Sequence, residues 1–205
     1  MDKQVFPPFH LVKKFLPKIK VGVALDIGAG NGRNSFFLAR NSFGVEAFDI
    51  DEQNVKNLKN LAKQLNLKIK AKKVDIKKFK FQSKKYDLIL AIQSLIWMKK
   101  TEFIKIIKKI KASLKPGGIA IISGFTTKDQ SYLNLKSVRA PKGKNTFYSK
   151  SGKKYWQFLD KQELKKCFDK DFKILYYKEK LIREKGHDGI SKYHDHGIAE
   201  IVAKR

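Results

Sequence analysis

Leu25-Asp26-Ile27-Gly28-Ala29-Gly30-Asn31-Gly32-Arg33-Asn34-Ser35 is the stretch that decides the fold. Val21–Ile27 is a short apolar run that ends at glycines, which predicts a strand. Asn31–Ser42 reads as a helix with Phe36, Phe37 and Leu38 facing inward. The glycines at 28, 30 and 32 therefore join a strand to a helix. Small residues there let the backbone turn tightly and leave main-chain N–H groups open to a ligand at a helix N-terminus. The spacing is G-x-G-x-G, not the G-x-G-x-x-G of dinucleotide enzymes, and it disfavours NAD. The competing reading is a tight turn with no ligand.

Outward from this turn the chain alternates apolar runs with amphipathic stretches, the pattern of a parallel sheet with crossover helices. Val45–Asp49 is a second strand. Asp51 can cap the next helix, in which Val55, Leu58, Leu61, Ala62 and Leu65 recur at helical spacing. Leu67–Val74 and the wholly apolar Tyr86–Ile92 follow as strands, the latter suited to burial on both faces. Thr101 opens a helix striped by Phe103, Ile106, Ile107, Ile110 and Leu114, and Pro116-Gly117-Gly118 ends it. Ile119–Ser123 is a fifth strand. Asp160 and Glu163 form a capping box for a short helix through Phe168. Phe172–Tyr177 and Gly197–Ala203 are the last two strands. Residues 1–18 read as a short amphipathic helix entered through Pro7-Pro8, and residues 125–158 as a long basic, aromatic connection. With no repeat and no Ser/Gly linker, residues 1–205 are expected to form one domain.

Asp49 closes the second strand about 20 positions after Gly28, where a carboxylate holds ribose hydroxyls. Asp51 competes for that role, although capping explains it. Asp75, at the end of the third strand, is either an acceptor for an adenine amino group or a solvated strand-end residue.

As a set, Asp26 to Ser35, Asp49, Asp75, the Tyr86–Ile92 strand and Lys115-Pro116-Gly117-Gly118 resemble a class I S-adenosylmethionine-dependent methyltransferase over most of the chain. Gly32-Arg33-Asn34-Ser35, Phe158 to Leu164 and the ending His194-Asp195-His196-Gly197-Ile198-Ala199 to Arg205 are similar to the tellurite-resistance (TehB-like) branch. The resemblance implies an α/β, Rossmann-like fold with a seven-stranded, mostly parallel sheet, an antiparallel last strand and helices on both faces. It implies S-adenosylmethionine as cofactor, held by Asp26, Gly28, Gly30, Gly32, Arg33 and Asn34 in the first turn. Asp49 and Ile50 would follow at the ribose, Asp75 and Ile76 at the adenine, and Ile92 and Gln93 at the end of the fourth strand. The implied acceptor is a small molecule, such as a chalcogen oxyanion or a thiol.

Ligands of open parallel sheets bind at the carboxyl ends of the strands. Three segments leave that edge: Gln93 to Trp97, the 125–158 connection, and the stretch from about 179 to 196. The last carries His187, His194 and His196, three of the chain's four histidines. Methyl transfer needs no triad, but a protonated acceptor needs a base, and His194 and His196, with His187 behind them, are the candidates. Arg183 and Arg33 can steer an anionic acceptor. A metal site is the rival reading of the histidines. With no cysteine ligand and no helical H-x-x-x-H spacing, no metal is assigned. Phe6, Phe9 and Phe15 are candidates for covering the cofactor.

Lysine and arginine number 46 against 19 acidic residues, a net charge of +27, and all but five of the 46 are lysine. Dense charge invites nucleic acid. Abundant Lys, Ile, Phe and Asn also suit an A/T-rich genome, and base readers favour arginine. The acid-free stretch from Gln130 to Leu159, with Tyr132, Phe147, Tyr148, Tyr155, Trp156 and Phe158, reads as a lid over an anionic acceptor. An RNA methyltransferase that stacks bases there is the alternative. Ala91-Ile92-Gln93-Ser94 is not the Asn/Asp-Pro-Pro-aromatic signature of many base-amine methylases. The single cysteine, Cys167, excludes an internal disulfide. No apolar run reaches the roughly 20 residues of a membrane span, so no membrane partner and a cytoplasmic location are expected. Nothing in the sequence sets an oligomeric state.

Overall fold

The structure is a computed structural model that describes residues 6–149, 152–185 and 193–205. Its sheet is built from β1 (Val23–Ile27), β2 (Gly44–Asp49), β3 (Ile69–Lys73), β4 (Tyr86–Ile92), β5 (Leu114–Phe125), β8 (Lys173–Lys185) and β9 (Tyr193–Lys204). The order is β3-β2-β1-β4-β5-β9-β8, seven strands in all. β9 runs antiparallel to both of its neighbours, and the other strands run parallel to one another. Strand order reverses between β1 and β4, which opens a crevice where the two strands end side by side.

Helices cover both faces because alternate residues of each strand point to opposite sides. On one face, α1 (His10–Phe15), α2 (Arg33–Arg40) and α3 (Glu52–Gln64) pack with Leu88, Leu90, Ile119 and Ile121. On the other, α4 (Lys100–Ser113) and α6 (Glu163–Lys166) pack with Ile89, Ala91, Ala120 and Ile122. Burying each of Phe103, Ile106, Ile107 and Ile110 along α4 contributes roughly 1.5–3 kcal/mol. Asp51 caps α3 by accepting the Asn54 N–H at 2.9 Å.

Several elements differ from their sequence reading. α1 covers only His10–Phe15, and Pro17 sits in a following 3-10 turn, Leu16–Lys18. The helix expected through Phe168 is the four-residue α6, because Gln162 enters it at φ 59° and the Asp160 carboxylate turns away to Asn145 and Lys144. Glu163 does reach back to the Asp160 N–H, at 2.8 Å. The last two strands are far longer than their apolar stretches, since β8 and β9 pair with each other beyond the end of β5. The 125–158 connection contains α5 (Gln130–Val138) and a hairpin of β6 (Thr146–Ser149) and β7 (Lys154–Gln157). Among the described residues, no helix is long and apolar enough to cross a membrane.

Candidate functional site

A cleft of about 540 Å³ opens where β1, β2, β3 and β4 end. Ile27, Gly28, Asp49, Ile50, Asp75, Ile76, Ile92 and Gln93 line it, joined by Ser94, Lys77, Trp97 and Met98. The loop after β1 is drawn over the end of β2 by three bonds. The N–H groups of Gly28 and Ala29 donate to the Phe48 carbonyl at 2.8 and 3.0 Å, and the Gly30 N–H donates to Asp49 Oδ2 at 2.8 Å. Gly28 sits at φ +70°, and a Cβ there would lie 2.4 Å from the Ser94 Cβ. Glycine is thus required twice, by the turn and by the close approach of the loop after β4.

Three features fit this cleft to a nucleoside-bearing ligand with flat and polar parts. The Ser94 hydroxyl is buried and has no hydrogen-bond partner among the described residues. A Cβ at Gly30 would meet nothing within 4 Å, so the loop backbone faces open space. Ile50 is 66% exposed beside the Asp49 carboxylate, an apolar surface at the cleft wall that a flat ring would cover. Gln93 holds φ 52° there, its N–H bonded to the Ser123 carbonyl at 3.1 Å; a left-handed non-glycine residue of this kind concentrates at functional sites.

Five residues of the first turn named from the sequence do not line the cleft. Gly30 faces open space, its N–H held by Asp49. Asp26 is 1% exposed beneath the loop and accepts the Ser35 hydroxyl at 2.7 Å. Burial pushes its carboxyl up to about 6, against the pull of that bond and of Arg33. Gly32, at φ +80°, is the N-cap of α2, and a Cβ there would meet Phe36 and Leu58. Arg33 is the first residue of α2. Asn34 is buried and accepts the Phe9 N–H at 2.8 Å, which moors the N-terminal segment. Neither Phe6, Phe9 nor Phe15 lines the cleft; Phe15 is buried and meets Tyr176 edge to face.

His194 and His196 come together on the β8–β9 hairpin, with their Nε2 atoms 2.8 Å apart. His196 Nδ1 lies 2.9 Å from Asp129 Oδ2, and its ring stacks on Phe125. Asp129 is fully buried and also caps α5 by accepting the Ser131 N–H at 2.8 Å. Gly197 makes this fit possible, since a Cβ there would lie 2.6 Å from the Asp129 nitrogen. Arg183 is not part of the cluster. It pairs with Asp195 at 2.9 Å on the opposite side of the strand, and the guanidinium holds the Asp195 carboxyl below its usual value. His187 lies outside the described residues. The histidines do not line the 540 Å³ cleft.

Residues 7–163 match the family model of the tellurite resistance protein TehB. The chain belongs to the TehB family. Among curated relatives it is 30% identical to malonyl-[acyl-carrier protein] O-methyltransferase 2 of Ilyobacter polytropus, over 80% of this chain and 59% of that protein. It is 29% identical to the probable S-adenosyl-L-methionine-dependent methyltransferase TehB of Haemophilus influenzae, over 51% of this chain and 37% of that one. The chain thus spans about half the length of the curated relatives it matches. The crystal structure of TehB from Haemophilus influenzae superposes with a TM-score of 0.76 at 23% identity, covering 96% of this chain and 62% of that one, a likeness of fold. The TehB match ends before β8, so the histidine hairpin lies outside the segment that places the chain in the family.

The connection after β5, inside the TehB match, is tied down over the cleft. Gln157 donates from its backbone to the Ile96 carbonyl at 2.9 Å and from its side chain to the Leu95 carbonyl at 3.2 Å. Lys100 reaches the Phe158 carbonyl at 2.7 Å and Glu163 at 2.9 Å. Trp97 and Trp156 meet edge to face at 4.5 Å, and the Lys154 ammonium sits 3.7 Å above the Trp97 ring. Lys153, Lys154 and Tyr155 thereby line the cleft. Phe147 and Phe158 are instead buried with Tyr132 as a small core of the connection. Sequence reasoning missed Ser94, Lys77 and Asp129, whereas Lys153 and Lys154 belong to the basic stretch read as a lid. Only Asp129 had a local signal, a cap residue directly before a helix.

Proposed function

We propose that this TehB-family chain transfers a methyl group from S-adenosylmethionine to a small-molecule acceptor. The observation that carries this reading is the meeting of Gly28, the Asp49 carboxylate, exposed Ile50 and the buried Ser94 hydroxyl in one cleft. The naming of its curated relatives as methyltransferases supports it. Bound S-adenosylmethionine supplies an electrophilic methyl group on a sulfonium. The chain's own residues then have to position partners and exclude water. Asp49 accepts hydrogen bonds from two neighbouring hydroxyls, Ile50 and Ile76 offer apolar surface to a ring, and Asp75 accepts from an amino group. Trp97, Met98 and Tyr155 give the cleft an apolar wall against water.

Lys77, Lys153 and Lys154 on the cleft wall favour an anionic acceptor, such as a chalcogen oxyanion or a thiolate. Arg183, engaged by Asp195, contributes long-range attraction and not a contact. The His194–His196 pair, oriented by Asp129, is the base only for a protonated acceptor that extends past the cleft lining, which the pair does not join.

Two measurements test this reading. S-adenosylmethionine or its demethylated product should raise the melting temperature, while NAD leaves it unchanged. Label from methyl-labelled S-adenosylmethionine should appear in pooled thiols or chalcogen oxyanions and not in total RNA. No thermal shift overturns the cofactor, and label in RNA overturns the acceptor class.

A further inference from the structure

We propose that Glu184, His194 and His196 form a site for a first-row divalent transition-metal ion, one that goes beyond the methyl-transfer reading and does not depend on it. One ligand atom from each of the three lies within 4.8 Å of the others. The β8–β9 ladder sets Glu184 directly opposite His194, and His196, two residues on, shares the same face. The sequence reading assigned no metal because the histidines have neither a cysteine ligand nor a helical H-x-x-x-H spacing. On a strand, H-x-H is the spacing that brings two imidazoles together.

The ring orientation is also that of a ligand. Asp129, buried and immobilised as the cap of α5, accepts from His196 Nδ1 at 2.9 Å, which leaves the lone pair on Nε2 facing His194. A carboxylate behind a histidine is the usual outer partner of a metal-bound imidazole. The two Nε2 atoms stand 2.8 Å apart. Two nitrogens at about 2.0–2.1 Å from one ion and about 90° apart would be separated by roughly 2.9 Å, whereas a tetrahedral ion would separate them by roughly 3.4 Å. Either separation is reached from the present hydrogen-bond distance by small side-chain rotations, and two imidazoles with a carboxylate suit ions such as Ni²⁺, Co²⁺ or Zn²⁺. A 2.8 Å N···N contact needs a proton between the nitrogens, and an ion bound to both would displace that proton to solvent.

Glu184 is exposed, so the ion has an entry path, and three protein ligands leave positions open to water or to a Lewis-basic ligand. Glu184 and Asp129 supply local negative charge in a chain of net charge +27. The site lies at the carboxyl edge of β5, beside Phe125 and Thr126, and outside the 540 Å³ cleft.

The test uses the full chain without a polyhistidine tag, stripped with chelator and titrated with Ni²⁺ by calorimetry, with Co²⁺ absorption as a second readout. One equivalent should bind. Glu184→Gln and His196→Ala should each weaken binding tenfold or more, and Asp129→Asn roughly 10–100-fold through loss of the outer partner. Glu184 is exposed, so Glu184→Gln retains the fold and keeps the test decisive even if His196→Ala fails to fold. Absence of binding, or equal affinity in wild type and Glu184→Gln, overturns the site. S-adenosylmethionine binding is measured in the same samples. Its persistence alongside a failed metal titration removes this proposal and leaves the methyl-transfer reading intact.

Discussion

The backbone N–H of Gly30 donates to Asp49 Oδ2 across 2.8 Å, so the turn after β1 is fastened to the tip of β2. Asp49 Oδ1 accepts the Asp51 N–H at 2.9 Å. Each carboxylate oxygen keeps a second acceptor site, which is what a pair of ligand hydroxyls needs. Asp49→Ala should therefore weaken S-adenosylmethionine binding about 10- to 100-fold, on the scale of roughly 1.5–3 kcal/mol for hydrogen bonds to a charged group. Asp51→Ala should cost about 1 kcal/mol of stability as a lost helix cap and leave affinity unchanged. Calorimetry on the two variants separates these roles, and the reverse pattern would assign the hydroxyls to Asp51.

Gly28 and Ser94 are coupled through space. Gly28→Ala places its Cβ 2.4 Å from the Ser94 Cβ at φ +70°, so either the β1 turn or the loop after β4 must move. The variant should lose cofactor binding and more than about 1–2 kcal/mol of stability, the cost of the left-handed backbone alone. Adding Ser94→Gly should recover the steric part and leave the backbone part. Denaturant melts of the single and double variants give the coupling, and purely additive losses would show that the contact does not matter.

Much of this site was legible in the sequence because it is local. The G-x-G-x-G turn, the Asp49 position and the doubly buried Tyr86–Ile92 strand each follow from residues adjacent in the chain. Asp26, Gly32 and Asn34 were named with the turn yet support it from beneath. Sequence spacing cannot distinguish a loop residue facing the ligand from one facing Ser35 or Phe9. Asp129 and Glu184 were out of reach because they join the histidines only through the β8–β9 ladder and the exit of β5. The lid's internal structure was hidden by composition: half its aromatics, read as a possible stacking surface, are its core.

Asp26 gives the chain a distinctive pH dependence. Burial raises its folded pKa from 3.8 to about 6, so folding favours the protonated form. Its contribution is fully present below pH 3.8 and is lost as pH rises through about 6. A shift of this size corresponds to about 3 kcal/mol. Asp26→Asn keeps an acceptor for the Ser35 hydroxyl and cannot ionise. Its melting temperature relative to wild type should rise by several degrees between pH 4 and pH 7.5. Other carboxylates titrate in both proteins and cancel in the difference, so a difference independent of pH would mean that Asp26 does not hold its proton in this range.

Trp97 and Trp156 are the only two tryptophans of the chain, and they touch each other at the mouth of the cleft. Trp97 belongs to the loop after β4, while Trp156 belongs to the lid hairpin, whose neighbours Lys154 and Tyr155 line the cleft. Tryptophan emission, excited selectively over the seven tyrosines, therefore reports on this junction. Titration with the demethylated cofactor product should change the emission saturably, with the midpoint found by calorimetry. Trp156→Ala removes an aromatic pair worth about 0.5–1.5 kcal/mol beyond its buried area. That loss should fall on the lid and not on the sheet: faster proteolysis between β6 and β7, a severalfold drop in cofactor affinity, and a small change in global melting temperature. If the hairpin were only packing, affinity would follow the melting temperature. A drop in affinity with the melting temperature held would show that the lid is part of the binding site.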